Sequence, residues 1–119
     1  MTVLIVEDHQ GIADLYQEAF QARGWETIHA ESGQEALTTL RSKLPEVIVL
    51  DLFLPAGHGI EVLSELKSNP KYKKIPVIVV SGRLSHEDSD AAKGLGAEIV
   101  LHKTEIAPAD LVHTANKLA

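Results

Sequence analysis

Short apolar runs alternate with amphipathic stretches along the whole of this chain. Val47–Leu50 is a continuous apolar run, which is typical of a strand buried on both faces of a parallel sheet. Between Val3–Val6 and Trp25–Ala30, the apolar residues from Ile12 to Phe20 follow helical spacing. The alternation predicts an α/β fold of the (βα)5 type. Right-handed crossovers would then give a single open five-stranded parallel sheet with helices on both faces.

Reactive side chains follow four of the apolar runs. They are Glu7 and Asp8, Asp51, Ser81, and Lys103. Parallel strands end at one edge of their sheet, where open α/β folds bind ligands, so we expect these five side chains to share one crevice. Three carboxylates repel one another unless a divalent cation lies among them. Such a cluster suits phosphoryl transfer, which depends on positioning and on charge neutralisation.

Length and composition exclude several classes of protein. A chain of 119 residues fits one domain, 1–119, and the net charge of −6 argues against a nucleic-acid-binding surface. The absence of cysteine excludes disulfides and thiolate metal sites. No apolar run approaches the roughly 20 residues that span a bilayer. We therefore expect a cytoplasmic domain, monomeric or weakly dimeric, that contacts neither membranes nor nucleic acids.

Local signals indicate where several elements begin and end. Trp25–Ala30 alternates polar and apolar residues, which predicts an edge strand, and Gly24 before it is expected to end the first helix. Ser32 and Glu35 form a capping-box signature for the second helix. Ser85 is expected to begin the fourth.

Taken together and in this order, the strand-end motifs resemble those of the receiver domain of two-component response regulators. The matching segments are Glu7-Asp8, residues 51–55 with Gly59, Ser81-Gly82 and Lys103. The resemblance covers the whole chain. It implies a flavodoxin-like (CheY-like) sheet with strand order 2-1-3-4-5, and a phosphoacceptor signalling domain rather than an enzyme with a separate substrate.

The resemblance also implies a role for each residue. Asp51 would be the phosphoacceptor, whose carboxylate attacks the phosphorus of a phosphohistidine on a partner. Mg²⁺, or Mn²⁺ as a substitute, would be held by Asp8, Asp51 and the backbone carbonyl of Phe53, with Glu7 acting through a bound water. The Ser81 hydroxyl and the Lys103 ammonium would bind the phosphoryl oxygens.

Some positions depart from the family's pattern. Val100 stands three residues before the lysine, where the family has an aromatic ring, so coupling from Ser81 to the fourth helix is expected to be weaker or to use other residues. Thr104 replaces a proline that follows the lysine through a cis peptide. A cis bond before threonine would cost about 3 kcal/mol, and otherwise the bond is trans and the lysine arrives differently. Thr104 is also expected to cap the last helix.

Phe53 and Arg83 lie two residues beyond Asp51 and Ser81, respectively. Such positions flank the phosphoryl group. We expect these two side chains to tune the lifetime of the phosphorylated state by controlling the approach of water.

Other functions compete with this interpretation. Asp8 taken alone is better explained as a helix cap. A haloacid-dehalogenase-type phosphatase would have a second aspartate where Phe53 stands, and a flavodoxin would have a phosphate loop where the acidic Glu7–Gln10 stands. A pseudo-receiver that only binds proteins remains the main alternative.

The implied partners are a sensor histidine kinase or a histidine phosphotransfer protein. We expect it to dock on the first helix and on residues 104–107. The fourth helix, last strand and last helix are the expected surface for a downstream output domain or partner protein. The sequence leaves open whether this is a stand-alone regulator or the amino-terminal part of a longer one.

Overall fold

The strands and helices alternate as the sequence predicts. The computed structural model describes residues 1–54, 59–82 and 85–119. Its strands are β1 (Thr2–Val6), β2 (Glu26–Ala30), β3 (Val47–Leu50), β4 (Val77–Ser81) and β5 (Ile99–His102). Its helices are α1 (Gln10–Gln21), α2 (Gly33–Leu40), α3 (Gly59–Ser68), α4 (His86–Leu95) and α5 (Pro108–Leu118), with a short 3₁₀ helix at Lys103–Glu105.

All strand pairs are parallel, and the order is β2-β1-β3-β4-β5, which confirms the predicted flavodoxin-like sheet. The central strands β1, β3 and β4 are buried along their whole length, because helices cover both faces. Strand β2 is only partly buried and lies at one edge, as its alternating sequence predicts. None of the helices in the described residues is long and apolar enough to cross a membrane.

Alternate residues of each central strand face two separate cores. Leu4, Ile48 and Val79 pack against α2, α3 and α4 on one face. Ile5 and Val49 pack against α1 and α5 on the other. This arrangement leaves the carboxyl edge of the sheet uncovered for the loops that carry the reactive residues.

The predicted helix boundaries mostly hold. Gly24 has φ +83° and ends α1 in a Schellman-type turn, with the Trp25 N–H donating to the Phe20 carbonyl at 3.1 Å. Ser85 caps α4 by accepting from the Asp88 N–H at 3.0 Å.

Two boundary predictions were wrong in detail. Thr104 does not cap α5, because it lies within the 3₁₀ helix and Ala107 occupies the cap position. Ser32 does accept from the Glu35 N–H at 3.1 Å, but the Glu35 carboxylate accepts from the N–H of Glu31 at 3.3 Å rather than from that of Ser32. The second half of the predicted capping box is therefore absent.

Candidate functional site at the carboxyl edge

Four strands bring reactive residues to one edge of the sheet. Glu7 follows β1, Asp51 follows β3, Ser81 ends β4 and Lys103 follows β5. Carboxylate oxygens of Glu7, Asp8 and Asp51 lie within 4.8 Å of one another. The strand ends thus meet in an acidic crevice.

The ammonium group of Lys103 lies inside this crevice. Its Nζ donates to both carboxylate oxygens of Glu7, at 3.0 and 2.9 Å, and to Oδ2 of Asp51 at 3.1 Å. The peptide bond from Lys103 to Thr104 is trans, since none of the described residues has a cis peptide bond. Lysine therefore reaches the crevice without the cis bond that the family's proline would supply.

The carboxylate of Asp51 is held on both sides. Its Oδ1 accepts from the Phe53 N–H at 3.0 Å, an Asx-type turn, while Oδ2 contacts Lys103. The side chain is 6% exposed, so it is nearly buried but still reachable from the edge. Its orientation is fixed before any partner arrives.

Gly59 lies directly beneath the loop that carries Asp51. Its N–H donates to the Leu52 carbonyl at 2.7 Å. A Cβ at this position would lie 2.4 Å from the Asp51 carbonyl oxygen and 2.5 Å from the Leu52 Cα. Only glycine allows this close approach without moving the backbone.

Glu7 is the most buried acid of the cluster, at 2% exposure. Burial raises the pKa of its carboxyl, and the nearby Asp51 charge adds to this, while the hydrogen bonds to Lys103 oppose it. Burial lowers the pKa of Lys103, but its hydrogen bonds to Glu7 and Asp51 outweigh that effect, so the pKa is raised overall. Lys103 is therefore held in its charged form.

The donor set fits a hard divalent cation. Three carboxylates and one ammonium leave the crevice with a net negative charge when all are ionised. Mg²⁺ and Mn²⁺ prefer oxygen ligands, and every candidate donor in this group is a carboxylate oxygen. Asp8 is exposed, so solvent and a hydrated ion can reach this residue of the group.

The remaining predicted residues lie around this crevice. Ser81 is fully buried and pairs in register with His102, next to Lys103. Phe53 is 42% exposed beside Asp51. Val100 is partly buried and lines a cleft of about 290 Å³ between α4 and β5, together with Ser85 and Ser89. Arg83, like residues 55–58, lies outside the described residues.

Sequence reasoning missed two histidines that organise the β1–α1 loop. His9, not Asp8, caps α1, since its Nδ1 accepts from the Ile12 N–H at 3.3 Å. This leaves the Asp8 carboxylate available to the crevice and removes the explanation of Asp8 as a helix cap. His29 on β2 contacts the Glu7 carbonyl oxygen through Nε2 at 2.7 Å. Only the alternation of β2 hinted that His29 faces a neighbour, and nothing in the sequence indicated which one.

Comparison with known proteins agrees with the geometry. The chain belongs to the response regulator receiver domain family, which it matches over residues 3–116. It is 35% identical over 102 residues to the polar-differentiation response regulator DivK of Brucella ovis, covering 86% of this chain and 83% of DivK.

Solved structures of response regulators share the fold. The Mn²⁺-bound form of response regulator Rcp1 has a TM-score of 0.84 and 32% identity, covering 98% of this chain and 89% of Rcp1. The phosphorylated cyanobacterial phytochrome response regulator RcpA has a TM-score of 0.85 and 30% identity, with coverage of 98% and 89%.

Membership in this family makes the chain a signalling domain of the two-component type. Response regulators interact with histidine kinases and with output or partner proteins. Receiver domains bind a divalent metal at an acidic pocket, and the Glu7, Asp8 and Asp51 group occupies the corresponding edge of this sheet.

Proposed function

We propose that this chain is a phosphoacceptor receiver domain that takes a phosphoryl group onto Asp51 from a phosphohistidine of a sensor kinase or phosphotransfer protein. The observation that carries the proposal is the crevice itself. A nearly buried aspartate lies between an ammonium group and two further carboxylates, at the sheet edge that a partner can reach. The similarity to the response regulator DivK and to the phosphorylated response regulator RcpA supports the same assignment.

The transfer needs little from the protein beyond positioning. An Asp51 carboxylate oxygen attacks phosphorus, the P–N bond to the donor imidazole breaks, and the imidazole nitrogen keeps the electron pair. The Phe53 N–H and the Lys103 ammonium already orient both oxygens of the nucleophile. Lys103 then transfers its contact with Asp51 to the phosphoryl oxygens, because that group carries more negative charge than the carboxylate it modifies.

The residues that would hold Mg²⁺ or Mn²⁺ are Asp8, Asp51 and the backbone carbonyl of Phe53, with Glu7 acting through a water. The bound cation would offset the carboxylate charge and stabilise the negative charge of the transferring group. Glu7 meanwhile keeps Lys103 in place, since both of its oxygens accept from Nζ.

The response to phosphorylation would begin at Ser81, whose hydroxyl would bind a phosphoryl oxygen, and would spread to α4, β5 and α5. Val100 has no aromatic ring that could change position with this movement. We therefore propose that α4, which forms the other side of the cleft, moves directly in response to Ser81. Phe53 and Arg83 would set how readily water reaches the acyl phosphate. The domain would act in the cytoplasm as a monomer or weak dimer, with no membrane or nucleic-acid contact of its own.

The proposal is tested by incubating the chain with a small phosphodonor such as acetyl phosphate and Mg²⁺, followed by intact-mass measurement. We expect one phosphoryl adduct on the wild type and none on Asp51→Asn. Asp14→Asn, which changes an exposed α1 carboxylate bonded to Gln10, is the matched control and should still be modified. A folded wild type that gains no mass with donor and metal would favour a pseudo-receiver that only binds proteins.

A further inference from the structure

The edge strand β2 makes a hydrogen bond to the peptide unit that joins the two acidic residues Glu7 and Asp8. His29 Nε2 lies 2.7 Å from the Glu7 carbonyl oxygen, and the contact is partly buried. Because that acceptor is a carbonyl, Nε2 carries the hydrogen and donates it. The Glu7 N–H in turn donates to the Ala30 carbonyl at 3.0 Å. Strand β2 therefore holds Glu7 on both sides of its Cα.

The Glu7 carbonyl matters because it belongs to the same planar unit as the Asp8 nitrogen. A peptide unit rotates as one rigid plane, so holding its oxygen fixes the direction in which the chain enters Asp8. Among the described residues, none makes a hydrogen bond or ion pair with the Asp8 carboxylate. Its placement within 4.8 Å of the Glu7 and Asp51 oxygens thus depends on the backbone.

The other half-buried polar side chain on the same face of β2 does something different. Thr27, two residues earlier, accepts from Gln17 at 3.2 Å and from Gln21 at 2.9 Å, and both are α1 side chains remote from the crevice. Thr27 therefore links β2 to α1 by hydrogen bonds, whereas His29 links β2 to the loop that carries Glu7 and Asp8.

We propose that His29 is a positioning residue, which aims the Asp8 carboxylate into the crevice by fixing the Glu7–Asp8 peptide unit. The inference rests on the proposed function, because it assigns Asp8 to a divalent cation. It goes beyond that function by adding a fifth strand, the edge strand β2, to a site otherwise built from the ends of β1, β3, β4 and β5. The donor is a side chain that plays no chemical part itself.

The experiment compares four proteins: wild type, His29→Leu, His29→Gln and Thr27→Val. Each is titrated with Mn²⁺, with free Mn²⁺ followed by electron paramagnetic resonance, and its urea unfolding is measured in chelator. His29→Leu should bind Mn²⁺ about tenfold more weakly, the usual size of effect when a residue that orients a metal ligand is lost. His29→Gln keeps an amide donor at a similar reach and should recover most of the affinity.

Thr27→Val loses two hydrogen bonds on the same strand and controls for stability. It should lower the free energy of unfolding while leaving Mn²⁺ affinity within about twofold of wild type, since it leaves the Glu7–Asp8 unit untouched. Equal weakening by Thr27→Val and His29→Leu would overturn the inference, because the effect would then belong to the strand as a whole. Unchanged affinity in a folded His29→Leu would also overturn it.

A second readout needs no metal. In chelator, the backbone amide resonance of Asp8 should move in His29→Leu and stay in place in Thr27→Val, because the Glu7 carbonyl and the Asp8 amide share one peptide unit. An unmoved Asp8 resonance in His29→Leu would contradict the inference. If wild type binds no Mn²⁺ while the Asp8 resonance responds as expected, the proposed function fails and the contact between His29 and the peptide unit stands.

Discussion

At the amino edge of the sheet each glutamate has its own partner, whereas at the carboxyl edge two of the three clustered carboxylates share one ammonium group. Glu46 accepts from the Thr2 N–H at 2.7 Å, and Glu98 accepts from the Val77 N–H at 2.6 Å. Glu26 pairs with Lys43 at 2.6 Å. Glu7 and Asp51, by contrast, both depend on Lys103.

The difference follows from the direction of the strands. Parallel strands expose N–H groups at their amino ends and carbonyl groups at their carboxyl ends, so carboxylates find donors at one edge and acceptors at the other. Among the described residues, main-chain donors to the three crevice carboxylates are limited to the N–H groups of His9 and Phe53. The same kind of side chain is therefore structural at one edge and needs a cation at the other.

The largest loss of stability should come from removing the Lys103 ammonium group, which Glu7 and Asp51 share. In chelator, Lys103→Met leaves the buried Glu7 and Asp51 unpaired and should lower the free energy of unfolding by about 3 kcal/mol, as for other broken buried pairs. Mg²⁺ should restore part of the loss by replacing the missing charge. Urea denaturation with and without Mg²⁺ measures both, and Lys103→Arg is the control that keeps the charge. Equal stability of Lys103→Met and wild type in chelator would contradict the comparison.

A side chain added at Gly59 should be crowded, whereas one added at Gly94 should not. Gly59→Ala places a Cβ against the Asp51 and Leu52 backbone and should destabilise the fold by about 1–3 kcal/mol. Gly94→Ala near the end of α4 meets nothing within 4 Å and should be neutral or stabilising by up to about 1 kcal/mol. Thermal unfolding of the two variants distinguishes them, and similar losses in both would refute this assignment.

Removing one carboxylate should affect the free energy of unfolding differently at the two edges. Glu98→Ala leaves the Val77 N–H without its acceptor and should cost about 1–2 kcal/mol. Glu7→Gln should not destabilise the metal-free protein at neutral pH, because the raised pKa of Glu7 means that ionising it opposes folding.

The pH dependence checks that sign. The cost of ionising Glu7 is absent below its ordinary pKa of 4.5 and grows as the pH rises through the raised folded-state pKa. The stability of Glu7→Gln relative to wild type, measured by urea unfolding in chelator, should therefore increase from pH 4 to pH 8. A difference that is flat or falls over this range would be inconsistent with the raised pKa.

The smallest effect should be at the exposed pair of Glu26 and Lys43. Hydrogen bonds from Lys43 and Thr2 lower the pKa of Glu26, so its stabilising effect is present above pH 4.5 and is lost as the pH falls through the lower folded-state pKa. Lys43→Gln should raise the Glu26 pKa, seen by NMR titration, with little change in unfolding. A large loss of stability would show that this edge also depends on shared charge.

The sequence contained enough information to predict the sheet and the positions of its strand ends. Continuous apolar runs reflect burial on both faces, and the residue after each run must lie at the carboxyl edge, which is why Asp51 and Lys103 converge although 52 positions separate them. The individual side-chain contacts could not be predicted from the sequence. Which histidine caps α1, or that Lys103 binds Glu7 through both oxygens, depends on side-chain reach in three dimensions, which a local pattern does not encode.

We propose that the carboxyl-edge acids need a divalent cation before Asp51 can accept a phosphoryl group. The direct measurement is the rate of acetyl phosphate labelling, followed by intact mass and located by peptide mapping, in Mg²⁺ and in excess chelator. We expect labelling confined to Asp51 in Mg²⁺ and almost none in chelator. Labelling of Asp51 at the same rate in both conditions would contradict the claim.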